Sequence, residues 1–96
     1  MNYQPVVEDG AKLLDQKRPG WANEINTETL EMHDFYSCIL GQLYGHYFTG
    51  IDLLKIQIKG DAWGFNVRGF NVHRNPSLYQ ALQSAWLVEI KMRRTA

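Results

Sequence analysis

The sequence predicts a mainly α fold: a small single-domain bundle of three to four helices, with a short β-hairpin as an open alternative near 53–68. Two observations carry this expectation. Apolar residues recur at helical spacing in the first, middle and last parts of the 96-residue chain. Those stretches are also bounded by helix starters and stoppers, namely Pro5, Pro19-Gly20, Gly45 and Asn75-Pro76. A chain of this length has room for one core. Its hydrophobic content of 45% and charged content of 21% are those of a globular domain, not of a disordered one.

The first helix is predicted over about residues 5–17. Pro5 suits a first turn, where its missing N–H would have no helical partner. Val7, Ala11 and Leu14 form the stripe, widened by Val6 and Leu13. Glu8 and Asp9 lie early and Lys17 and Arg18 late, as the helix dipole favours. Gly10 weakens the helix by roughly 1 kcal/mol relative to alanine, and Pro19-Gly20 ends it. The next five residues, Trp21-Ala22-Asn23-Glu24-Ile25, read as a short turn that drops an indole and an isoleucine into the core. Residues 26–32 read as a connection or a very short strand, with Leu30 and Met32 alternating.

A second long helix is expected from an N-cap at His33 or Asp34. Phe35, Ile39 and Leu43 mark its inner face, Cys38 and Gln42 lie beside it, and Gly45 is its C-cap. The run from Cys38 to Tyr47 contains no acid, lysine or arginine, so it is built for burial. Gln42 sits inside it, and a buried amide without partners costs about 1–3 kcal/mol. Gln42 is therefore either a strut or the polar hook of a pocket. Helical spacing favours the strut, bonded to a connecting loop such as residues 26–32, with Gly41 and Gly45 letting neighbours approach.

Beyond Gly50 two patterns compete. Leu54, Ile56 and Ile58 alternate with polar residues, as do Trp63, Phe65 and Val67, and Gly60-Asp61 between them could turn a hairpin. The rival is a short helix over 49–56 and another capped at Asp61. Period alone favours the hairpin. The last helix is clearer: Asn75 caps, Pro76 takes the first position, and Tyr79, Leu82, Trp86, Ile90 and Arg93 follow the helical period to about residue 93. Trp86 is its core anchor.

Formal charge is zero overall but split, −4 over residues 1–48 (three bases, seven acids) and +4 over 49–96 (seven bases, three acids). Packing the two halves together would cancel much of this. The bases are dispersed and the pI is near 6.8, which disfavours a nucleic-acid partner. Catalytic and metal patterns are missing. His33, His46, His73 and Cys38 lack zinc-ligand spacing, and Cys38 falls on an apolar helix face, as a small hydrophobe does. Gly41-x3-Gly45 and Gly60-x3-Gly64 lack the context of a phosphate loop, and Glu28 and Glu31 lie in a solvated acidic stretch. No catalytic residue, metal or cofactor is expected. A single cysteine fits a reducing cytosol. No apolar run approaches the roughly 20 residues that span a bilayer, and the N-terminus lacks signal-peptide character. A cytoplasmic protein without a membrane partner is expected.

The aromatic residues remain, twelve per cent of the chain. Trp63 lies beside Gly64, Phe65 and Arg68, a composition suited to stacking or to an interface.

Pro19-Gly20-Trp21-x3-Ile25, Leu30-x-Met32 and the run from Cys38 through Gly41-Gln42-Leu43-x-Gly45-x-Tyr47 to Gly50 resemble a family of small proteins from phages of actinobacteria. Gly69-Phe70 and the series Tyr79, Leu82, Trp86, Ile90, Arg93 and Arg94 extend the resemblance over most of residues 11–94. Relatives often carry a second cysteine where this chain has Phe35, which further weakens a metal or redox reading. The resemblance implies a mainly helical domain, with a helix rather than a hairpin leading toward Gly69-Phe70. It carries no activity with it. The function expected is that of a non-catalytic accessory protein which binds and inhibits or redirects a host protein in the host cytoplasm, with counter-defence as one such role. The alternative is a small-molecule binder for a nucleotide-like signal, in which Trp63 or Tyr47 stacks a base, Arg68 or Arg74 holds phosphate and Gln42 reads an edge. A nucleic-acid-binding accessory protein is the second alternative, disfavoured by the neutral charge, and association as a homodimer is left open.

Overall fold

The computed structural model describes residues 3–55, 65 and 76–95. Within them the chain forms five helices and no strand: α1 (Gln4–Lys17), α2 (Trp21–Glu24), α3 (Ile39–Tyr44), α4 (Tyr47–Leu54) and α5 (Pro76–Thr95). The mainly α expectation is met.

α1 forms where its apolar spacing placed it, burying Val7, Gly10, Ala11 and Leu14. The Arg18 N–H closes its C-terminus on the Leu14 carbonyl at 2.7 Å. Gly20, at φ 83°, then reverses the chain in the left-handed region, which glycine enters without the penalty of a Cβ. The segment after it is a single helical turn, α2, and both Trp21 and Ile25 reach the core as expected. α1 and α2 pack on α5, which buries Tyr79, Leu82, Ala85, Trp86 and Ile90. Trp86 is the hub. Trp21 meets it edge-on at 5.6 Å and 89°, and Phe65 stacks on it at 5.4 Å and 15°. Such pairs add about 0.5–1.5 kcal/mol beyond their burial.

The second helix departs from expectation. It begins at Ile39, with Cys38 as N-cap in an extended conformation (φ −75°, ψ 178°). Residues 32–38 form turns instead. The Asp34 carboxylate accepts from the Tyr36 N–H at 3.2 Å and the Ser37 hydroxyl at 2.9 Å. Its carbonyl accepts from the N–H groups of Ser37 and Cys38 at 3.2 and 3.0 Å. A short acidic side chain that bonds its own turn competes with helix extension, so Asp34 caps a turn rather than a helix. Phe35 consequently leaves the inner face assigned to it and is exposed.

α4 corrects the period-two reading at the near end of 53–68. Tyr47, Gly50, Ile51 and Leu54 recur at helical spacing and are all buried, so residues 53 and 54 end a helix and a strand cannot start there. This agrees with the rival helix over 49–56. Lys55 stops α4 in the left-handed region at φ 60°. Apart from Phe65, the remainder of the predicted hairpin lies outside the described residues, as does the expected cap Asn75.

α3 packs against α4 through glycine. A Cβ on Gly50 would lie 2.8 Å from Leu40 Cβ. Gly45, at φ 92° with nothing within 4 Å, serves the C-cap turn and not the close approach also expected of it.

Candidate functional site

The turn 34–38 and the start of α4 place four rings side by side at the surface. Phe35 stacks on His46 at 5.4 Å, and His46 stacks on Phe48 at 5.9 Å. Tyr36 meets the His46 ring edge-on at 4.9 Å, and Phe35 lies 5.5 Å from Phe48. Tyr36 is 67% exposed and Phe48 49% exposed, whereas Tyr47 beneath them is only 3% exposed. Tyr47 packs on both Phe35 and Phe48, at 5.9 and 5.0 Å, and so supports the cluster from below.

The uncharged run from Cys38 to Tyr47 holds this cluster in place. The Phe35 carbonyl accepts from the Tyr47 N–H at 2.9 Å. A Cβ on Gly41 would lie 2.4 Å from the same carbonyl oxygen and 2.7 Å from that of Tyr36. Only a glycine lets the turn lie this close to α3. The Cys38 Sγ caps α3 by accepting from the Gly41 N–H at 3.3 Å. His46 Nδ1 caps α4 by accepting from the Phe48 N–H at 3.1 Å, which fixes the imidazole's orientation within the stack. A histidine acting through Nδ1 as acceptor carries its ring proton on Nε2.

Gln42 is the strut. Its Nε2 donates to the carbonyls of Asn26 and Ser37, both at 3.1 Å, and its Oε1 accepts from the Asn26 N–H at 2.7 Å. One amide thus ties α3 to the loop after α2 and to the end of the aromatic turn. Gln83 does similar work on α5, accepting from the Met32 N–H at 3.0 Å. Among the described residues no buried side-chain nitrogen or oxygen lacks a partner.

Burial pushes the Cys38 thiol up to about 11, so it keeps its proton near neutrality and behaves as a core residue. His33 Nδ1 lies 3.3 Å from Glu31 on the exposed connection. Among the described residues no three metal-binding side chains gather.

Of the residues selected from sequence, Gln42 and Tyr47 therefore lie in the scaffold under the cluster: Gln42 with its amide hydrogen-bonded on both sides, Tyr47 buried away from any stacking base. Trp63, Arg68, Arg74 and His73 lie outside the described residues. The surface cluster of Phe35, Tyr36, His46 and Phe48 was not singled out. A signal for them exists in Phe35-Tyr36 and His46-Tyr47-Phe48. Neighbours on a helix point about 100° apart, so consecutive rings cannot all enter one core.

The split charge partly closes inside the fold. Arg93 pairs bidentately with Asp15, at 3.0 and 2.9 Å, and reaches Glu89 at 2.8 Å. Asp15 also accepts from the Trp21 indole at 2.8 Å, and Glu89 from Gln4. The hydrogen bond from Arg93 holds the Asp15 carboxyl below its ordinary range and, reciprocally, the bond to Asp15 raises Arg93. Arg18 forms a second such pair with Glu24, at 3.0 and 2.9 Å, with its guanidinium over the Tyr44 ring. No described helix is long and apolar enough to cross a membrane. Comparison with protein-family models, with curated proteins and with solved structures found no match.

Proposed function

We propose that this chain is a non-catalytic accessory protein of phage type that binds a host protein through the Phe35–Tyr36–His46–Phe48 surface and inhibits or redirects it. One observation carries the reading: four rings stand together at the surface, Phe35 and Phe48 stacked on His46 and Tyr36 edge-on to it, on a backbone fixed by hydrogen bonds and by the glycine at 41. Leaving such rings in water forfeits their burial energy, and contiguous exposed apolar patches commonly mark interaction sites. Tyrosine and other aromatic residues dominate the energetics of protein interfaces, and rings already ordered lose little entropy on binding. Asp34, in the same turn, and the half-buried His46 at its centre supply polar groups.

The test is affinity capture from an actinobacterial lysate with the wild-type chain beside a Tyr36→Ser/Phe48→Ser double variant. A protein retained by the first and lost from the second, and whose activity changes when the pure chain is added, supports the reading. Equal recovery by both, or none above background, overturns it. So does a patch that proves to be buried in a homodimer stable at working dilution.

A further inference from the structure

A second surface lies away from the aromatic cluster, where the loop after α2 faces α5. A groove of about 300 Å³ runs there, lined by Thr27, Leu87, Ile90, Lys91 and Arg94. Its size is at the lower end for small-ligand sites. Leu87 is the exposed aliphatic side chain of its wall, Ile90 is buried behind it, Thr27 also lines it, and no described acid does.

Arg94 sets this groove apart from the rest of the surface. The other two arginines with described side chains are spent on carboxylates, Arg18 on Glu24 and Arg93 on Asp15 and Glu89. Arg94 instead donates to main-chain carbonyls, from Nε to Ala22 at 3.0 Å and from Nη2 to Ile25. Those carbonyls fix the guanidinium and satisfy part of its donor fork, but they bring no formal negative charge. The result is a pre-positioned cation at the end of an aliphatic wall, with the Lys91 ammonium as a second positive group one turn earlier on α5.

We infer that this groove is a binding site for a small amphipathic anion, a carboxylate carried on an aliphatic chain. The carboxylate would accept from the remaining guanidinium N–H groups of Arg94, in the planar geometry that guanidinium and carboxylate share. Lys91 also lines the groove, and the chain lies along Leu87. Charge selects the sign of the head group, and the aliphatic wall selects a tail over a fully polar anion. The inference is independent of the aromatic surface.

Octanoate, below the concentration at which it self-associates, is the probe, with octanol and octylammonium as controls. Backbone amide shifts and titration calorimetry are the readouts. Octanoate is expected to saturate a single site, with shifts gathered at Thr27, Leu87, Lys91 and Arg94, while neither control saturates there. Leu87→Glu and Lys91→Glu, both on exposed positions, are each expected to weaken octanoate by about tenfold, the loss of one favourable contact, with unchanged melting. The Tyr36→Ser/Phe48→Ser variant should bind octanoate as the wild type does. Octylammonium binding as well as octanoate, shifts centred elsewhere, no saturation, or affinity unmoved by both groove substitutions would each overturn the assignment.

Discussion

The two ends of this small core are held together by different physics. Where α1 and α2 meet α5, long-range side-chain pairs predominate, indole on indole and a chain of polar groups from Gln4 through Glu89 and Arg93 to Asp15 and Trp21, with Arg94 adding bonds to the Ala22 and Ile25 carbonyls. Where α3 meets α4, the helices are short and the bonds run from side chain to main chain, through Cys38, Gln42 and His46. Close backbone approach at Gly41 and Gly50 completes that half. The first arrangement buries its aromatics. The second commits its core to fixing backbone and leaves rings at the surface, which is why the candidate site lies on the α3–α4 side.

The largest effect is expected from Trp86→Ala, which empties the hub of the α1–α2–α5 end. Truncating a fully buried large aromatic costs about 3–5 kcal/mol, a large share of the stability of a domain this size. Denaturant unfolding should show it, and survival of a cooperative transition near the wild-type midpoint would contradict the hub assignment.

Gly41→Ala tests the other end. Overpacking against backbone costs about 1–3 kcal/mol, and the added methyl meets main chain that a rotamer change cannot relieve. Hydrogen exchange should quicken in residues 34–54 before it does in α1 and α5. A uniform increase would mean that the two ends do not differ as described.

Titration separates the ends by sign. The Asp15 carboxyl is depressed from 3.8 chiefly by its Arg93 hydrogen bond, so its contribution is complete above the unfolded value and is lost as pH falls through the lower folded one. Acid should therefore loosen α1 from α5, an effect Asp15→Asn blunts. The Cys38 thiol is raised from 9.0 to about 11 by burial. Its contribution is complete below pH 9 and is lost as pH rises toward 11, by about 2–3 kcal/mol for a shift of that size. Melting followed across both limbs should show Asp15→Asn flattening the pH dependence on the acid side alone and Cys38→Ala flattening it on the alkaline side alone. Each substitution affecting the opposite limb would count against the assignment.

Gln42→Ala removes three hydrogen bonds at a half-buried site that water can partly reach, and about 1–2 kcal/mol is expected. Gln42→Glu should be no better than alanine, since an ionised carboxylate cannot donate to the Asn26 and Ser37 carbonyls. The smallest effect on stability, less than about 1 kcal/mol, is expected from Tyr36→Ser with Phe48→Ser, because both rings are already wet. A larger loss in a thermal melt would recast the cluster as core.

Local chemistry was readable wherever the decisive partner lies nearby in sequence. α1, the glycine turns at 20 and 45, and the bulk of α5 follow from spacing and punctuation alone. Gln42 was recognisable as a strut because an amide in an uncharged apolar run must find partners. The candidate surface was harder to read. Phe35 fits a helical stripe with Ile39 and Leu43, and the competing turn at Asp34 depends on where that carboxylate finds N–H groups.

By itself, then, the sequence determined a helical chain with Trp86 in its core, an uncharged central run built for burial, and no familiar catalytic spacing. Tertiary structure decided that a helix prevailed over an alternating pattern at residues 53 and 54, which rings went outward, and which of the described arginines was left without an acid. Periodicity reports the face a residue would take on a given element. Whether the element extends, and which charge meets which, depends on contacts between residues as far apart as Asp15 and Arg93, which no local pattern encodes.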